Sequence, residues 1–115
     1  MKFLPTPIHT VGLGKIMSAG CLLLAAGEKG SRKLGKNAVI MYHAGADEAA
    51  GNIFQIETRL EAFKIEENKY DTCFAKETGL TLQRIQKLYN LDKHVADRYI
   101  YPDEALKLGI VDKLI

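Results

Sequence analysis

Ser18, His43 and Asp97 are the residues of this chain whose types and spacing could do covalent chemistry. A nucleophilic serine needs a base to take its proton and a carboxylate to orient that base. It also needs backbone N–H groups to hold the oxyanion that develops on the attacked carbonyl. Ser18 lies in "GKIMSAGCLLLAAG", residues 14–27, at the mouth of a run that is almost entirely small or apolar. Its hydroxyl is therefore either the N-cap of a buried helix or a nucleophile which that helix presents, the helix N-terminus supplying the N–H groups. His43 closes the apolar run "AVIMYH", and Asp97 opens "DRYIY". His43 also has a plain structural reading, as a satisfied histidine at a strand end. His9 and His94 are weaker candidates for the base, one inside an expected strand and the other in a polar connection.

Other chemistries have less to stand on. "GSRKLGKN", residues 30–37, fits the phosphate-binding pattern G-x-x-x-x-G-K-[ST] except that Asn37 stands where Ser or Thr would hold a magnesium ion. Its context is reversed, because it follows a helical segment and precedes a strand, whereas a phosphate loop runs from a strand into a helix. Cys21 and Cys73 show no metal-ligand or CxxC spacing and sit at apolar-patterned positions, so both read as buried free thiols. The net charge of +2, with no basic block or acidic tail, gives no sign of a nucleic-acid partner. The longest uninterrupted apolar stretch, Cys21 to Ala26, is far short of the ~20 residues a membrane span requires. With no signal-peptide pattern in Met1 to Pro7, the expected location is the cytoplasm.

The elements that must position these residues follow from periodicity. At 115 residues, 47% of them hydrophobic, the chain has material for one core and one domain. "IHTVGLG", Ile8 to Gly14, reads as a strand that turns tightly into the helix opened by Ser18. "GSRKLGKN" reads as a polar loop and Ala38 to His43 as a second strand. From about Glu48 to Glu77, apolar residues fall at 53, 56, 60, 63, 70 and 74, a 3,4 spacing that misses one beat at Glu67, and Gly79 supplies the stop. Such a helix is about 40 Å long at 1.5 Å per residue, longer than a domain of this size is wide. Part of it should project and bury its stripe against another subunit. A shorter helix follows Thr81. A last one runs from Pro102 at N1 to Gly109, before a strand in "IVDKLI". Strands alternating with helices define an α/β fold with some parallel pairing.

"GKIMSAGCLLLAAGEKGSRKLGKNAVIMYH" resembles the nucleophile-to-histidine block of the Clp protease proteolytic subunit (ClpP) family of serine peptidases, with no gap between serine and histidine. "DRY" followed by "EALKLGIVD" resembles the family's C-terminal aspartate segment, and "ETGLTLQRIQ" the stretch after its long handle helix. The resemblance implies a crotonase-like ββα spiral with a projecting handle helix. It implies a Ser18–His43–Asp97 triad with the Ala19 N–H in the oxyanion hole, and hence an endopeptidase acting on unfolded polypeptides. It also implies heptameric rings served by an ATP-driven AAA+ unfoldase such as ClpX or ClpA. On this reading the chain itself binds no nucleotide, metal, nucleic acid or membrane. The likeness starts after the family's N-terminal portion, so residues 1–115 would be one peptidase domain corresponding to the C-terminal two-thirds of the family fold. A truncated or split subunit, catalytically incomplete and serving as an assembly partner, is the alternative.

Three departures from the family pattern matter. The connection between Gly79 and Asp97 is about five residues longer than usual, which leaves Asp92 as a fallback third member of the triad. Ala96 stands where an arginine used in ring-to-ring contact is usual. "GADEAAGN" after His43 is acidic where the family is glycine-rich, which points to basic or neutral peptides as substrates.

Overall fold

The first expected strand ends at a glycine, and a second short strand follows it before the helix. Gly14 takes a positive φ of 71°, which no extended residue can share, so the chain turns there and changes sheet. The computed structural model describes residues 1–89 and 97–115. In it β1 (Thr10–Gly12) and β2 (Lys15–Met17) flank that bend, and α1 (Ala19–Ala25) follows Ser18. The chain continues through β3 (Arg32–Leu34), β4 (Val39–His43), α2 (Ile53–Thr78) and α3 (Leu82–Tyr89). It then describes β5 (Asp97–Ile100), α4 (Pro102–Lys107) and β6 (Lys113–Leu114). One sheet has the order β1-β3-β6, all parallel, and the other has the order β2-β4-β5, parallel between β2 and β4 and antiparallel between β4 and β5. The architecture is α/β with parallel pairing, as the alternation of patterns implies.

The segment expected to be a polar loop carries a central strand. In β3, Arg32 and Leu34 are buried on either side of Lys33, so the strand has the period-2 alternation of a half-buried ladder with arginine in an apolar slot. Arg32, 3% exposed, occupies that slot because its whole guanidinium is satisfied. Nε and Nη2 donate to the two carboxylate oxygens of Asp112 at 2.8 and 2.5 Å, and Nη1 donates to the carbonyls of Ala25 and Glu77 at 3.2 and 3.0 Å. Asp112 also accepts the backbone N–H groups of Gly30 and Arg32.

The long helix starts later than expected, at the first residue of its apolar stripe. Gly51 sits at φ 134°, and Asn52 forms a capping box with Gln55, which ends the loop and begins α2 at Ile53 rather than Glu48. Gly79 closes it in the left-handed conformation at φ 80°. Thr81 caps α3 by accepting the Arg84 N–H at 3.2 Å, and Pro102 opens α4. Gly109, at φ 70°, follows α4, and a Cβ there would lie 2.6 Å from the Thr78 carbonyl oxygen. The expected last strand is reduced to Lys113–Leu114, the residues that reach the β3 edge.

Within α2 the buried residues are Asp71, Phe74, Ala75, Glu77 and Thr78, all in its C-terminal third. Ile53, Phe54, Ile56, Leu60 and Ile65 are exposed, so much of the apolar surface on the first half of α2 is uncovered among the described residues. Cys21 is fully buried, its Sγ donating to the Met41 carbonyl at 3.0 Å, and burial pushes its thiol up to about 11. Cys73 departs from expectation: it is a free thiol but exposed, because with Lys69, Thr72 and Lys76 it lies on the face of α2 turned from the core. Among the described residues no helix is long and apolar enough to cross a membrane.

The Arg32–Asp112 pair generates a prediction with a definite sign. The Arg32 hydrogen bonds hold the Asp112 carboxyl at about 2, below its ordinary 3.8. The stabilisation is therefore complete above pH 3.8 and is lost as the pH falls from there through about 2. Asp112→Asn, which strands a buried guanidinium, is expected to cost about 3–5 kcal/mol in urea unfolding at pH 7. A cost under about 1 kcal/mol would show that the pair does not hold the sheet.

Candidate active site

Ser18 occupies a turn that L-residues avoid. Its φ of 53° and ψ of −124° make it the one non-glycine residue with positive φ among those described, at the junction of β2 and α1. A strained strand-to-helix turn is the device that lifts a serine Oγ clear of its neighbours. Backbone bonds hold it there: the Ser18 N–H donates to the Met41 carbonyl at 2.9 Å, and its carbonyl accepts the Cys21 N–H at 2.9 Å. The same carbonyl accepts the Tyr70 hydroxyl at 2.7 Å, so α2 reaches across to brace the turn. Burial raises the Tyr70 phenol well above its ordinary range, so it remains a donor at physiological pH. The N-cap reading of Ser18 fails, since its side chain makes no capping hydrogen bond and is exposed. Ala19 heads α1, where the leading N–H groups lack intrahelical partners.

His43 ends the central strand of the β2-β4-β5 sheet, half-buried. Its Nδ1 lies 2.6 Å from the Ala44 carbonyl oxygen. A carbonyl can only accept, so Nδ1 carries the proton and, in the neutral ring, Nε2 holds the basic lone pair. Ser18 and His43 line one cavity of about 190 Å³, whose other walls come from Gly45 and from α2. Asp97, exposed, is the direct cross-strand partner of His43 in the antiparallel β4–β5 register, which puts both side chains on one face of the sheet. The Nδ1 partner is nevertheless Ala44, not Asp97. His9 is exposed just before β1, on the other sheet, while Asp92, His94 and Ala96 lie outside the described residues.

Sheet topology explains why three residues so far apart in sequence are neighbours. Met17 pairs with Met41 in the parallel β2–β4 ladder, so Ser18 follows on beside the last residues of β4. Because β5 runs back along β4, its first residue sits beside the last of β4. All three positions fall at one end of a single sheet, the carboxyl end of its parallel strands, where open α/β sheets bind ligands.

Phe63, Glu66, Glu67 and Tyr70 of α2 also line the cavity and were not singled out from sequence. A signal was present. Phe63, Glu67 and Tyr70 share a helix face at i, i+4 and i+7, and Glu67 is the polar residue that breaks the apolar stripe. Its Oε1 accepts the Gly45 N–H, which turns the carboxylate inward.

A two-sheet α/β fold with a serine on a strained strand-to-helix turn, sharing a cavity with a strand-end histidine, defines a hydrolase-like arrangement. The model of the Clp protease family matches residues 1–115, and the chain belongs to that family. The ATP-dependent Clp protease proteolytic subunit of Deinococcus radiodurans is 33% identical over 116 residues, covering 100% of this chain and 54% of that protein. The chain thus spans about half the length of this curated relative.

The strain at Ser18 is measurable. Ser18→Gly should raise stability by about 1 kcal/mol, because glycine adopts this φ freely and no side-chain hydrogen bond is lost. Ser18→Ala should bring no such gain. Urea unfolding of both variants checks this, and a destabilised glycine variant would show that the turn is not strained.

Proposed function

We propose that this chain is the catalytic part of a serine-type endopeptidase of the Clp kind. The Ser18 Oγ attacks the carbonyl of a peptide bond while His43 Nε2 takes its proton, and the Ala19 N–H donates to the oxyanion. His43 then returns the proton to the leaving amine, and water releases the acyl group by the same route. Asp97 holds the imidazolium, its carboxylate replacing the Ala44 carbonyl as the Nδ1 partner. Either partner keeps the same tautomer, so Nε2 faces the serine throughout. The observation that carries this reading is that Ser18, on a strained turn and with no capping hydrogen bond from its side chain, lines the same cavity as His43.

The assembly belongs to the same proposal. The fold is a crotonase-like spiral whose α2 is the handle helix, and its exposed stripe from Ile53 to Ile65 packs against other subunits in rings, heptameric in this family. An AAA+ unfoldase of the ClpX or ClpA kind delivers unfolded chains and uses the ATP. The engagement of all three Arg32 guanidinium nitrogens within the protein supports a structural rather than a phosphate-binding role for "GSRKLGKN".

Intact-protein mass spectrometry after treatment with a fluorophosphonate tests the nucleophile. The wild-type chain is expected to gain one probe mass and Ser18→Ala none, with peptide hydrolysis by that variant reduced on the order of 10⁴-fold or more. Equal labelling of the two proteins would remove Ser18 from the mechanism. Labelling confined to mixtures with a full-length Clp peptidase subunit would instead assign the chain the role of an assembly partner.

A further inference from the structure

The cavity beside Ser18 and His43 has walls of unusual chemistry for a peptide-binding site. Phe63 and Tyr70 contribute aromatic surface, and Glu66 and Glu67 contribute two carboxylates, all from α2. Glu67 is half-buried and fixed, one oxygen accepting the Gly45 N–H. It occupies the place on the helix where the 3,4 stripe calls for an apolar side chain, so its charge is built into the cavity wall rather than spread over a solvated face.

The ion pairs among the described residues are Lys2–Glu77, Arg32–Asp112, Arg59–Asp47 and Arg98–Glu104, and none involves Glu66 or Glu67. The adjoining cavity, of about 370 Å³, is different. There Asp47 is paired with Arg59 at 2.6 Å. Among the described residues, the two carboxylates on the Ser18 side therefore have no ion-pair partner, and they lie next to the position where a peptide carbonyl would be attacked.

We infer that this pocket selects a lysine or arginine side chain on the residue whose carbonyl Ser18 attacks. The inference rests on the peptidase reading above. The aliphatic stem lies along the Phe63 and Tyr70 rings, and the charged head meets the Glu66 and Glu67 carboxylates. A leucine would fill the same space but leave the half-buried Glu67 carboxylate with the Gly45 N–H as its one partner among the described residues, and a glutamate would be repelled. Specificity on this account comes from Glu66 and Glu67, with the rings as walls that accept any long side chain.

The test uses the assembled full chain and a peptide series that varies only the residue before the cleaved bond: arginine, lysine, leucine, glutamate and citrulline, the neutral relative of arginine. Wild-type protein is expected to cleave after arginine and lysine with kcat/KM at least about tenfold above that for leucine or citrulline. In Glu66→Gln/Glu67→Gln, where glutamine can still accept the Gly45 N–H, the arginine-to-citrulline ratio should fall to within about twofold of one. The wild-type arginine-to-citrulline comparison stands by itself should the double variant fold poorly. If wild-type protein takes the fluorophosphonate at Ser18 yet cleaves after leucine or citrulline as well as after arginine, the specificity inference is overturned and the peptidase reading stands. If Ser18 takes no probe and no peptide is cleaved, both are overturned.

Discussion

The Arg32 guanidinium is the single group on which the rest of the architecture depends. It joins β3 to the segment leading into β6 through Asp112, and it ties in the C-terminal ends of α1 and α2 through the Ala25 and Glu77 carbonyls. An arginine taken out of water is costly unless its nitrogens are partnered, and here all three make hydrogen bonds, four in total, to partners that only this packing provides. The value of the arrangement is geometric. The start of α1 carries Ser18 and the middle of α2 carries Tyr70, and both helices are pinned at their far ends by the same side chain.

A second polar cluster fixes the strand that bears His43. Tyr42, fully buried, stacks on Phe74 with ring centroids 4.6 Å apart and donates its hydroxyl to Asp71. Tyr89 donates to the other Asp71 oxygen at 2.6 Å. The carboxylate, 2% exposed, thus bridges β4 and α3 from its place on α2. Burial and the neighbouring carboxylate keep both phenols protonated far above neutrality, so the bridge does not change across the physiological range. Tyr42 points into the core and His43, one residue on, points the other way, which is the pleat putting one residue to structural use and the next within reach of Ser18.

Much of the site was legible in the sequence and much of its surroundings was not, for reasons that can be named. Ser18 and His43 could be read because a strand end and a helix start are marked by short-range pattern, and the parallel pairing of β2 with β4 then places them at one sheet end. The strand β3 was missed because an arginine in an apolar slot looks like loop until its partner, 80 residues on, is known. Gly14 was read as the stop of a strand rather than a crossing between sheets, since a positive φ leaves no periodic trace. The start of α2 was placed too early because apolar spacing is blind to capping, and Asn52 with Gln55 decided it. Cys73 was misread for a related reason: an apolar position on a helix with one short buried face need not lie on that face. The cavity walls were hidden in plain view, as a glutamate interrupting a stripe acquires meaning only once the loop after His43 folds over it.

The uneven anchoring of α2 has a consequence for when the cavity exists at all. Its C-terminal third is locked into the core, whereas the turns from Ile53 onward are held mainly by their own backbone ladder, the Asn52 cap and the Asp47–Arg59 ion pair. A helical segment with few tertiary contacts has little cooperative stability in water. Amide hydrogens along α2 should therefore exchange along a gradient, slow near Phe74 and fast near Phe54. Phe63 and Glu67 sit on the slope of that gradient, between the anchored and unanchored ends. The cavity wall carried by Phe63 and Glu67 therefore belongs to the less firmly held part of the molecule, so the shape of the pocket depends on how much of α2 is folded at a given moment as well as on sequence.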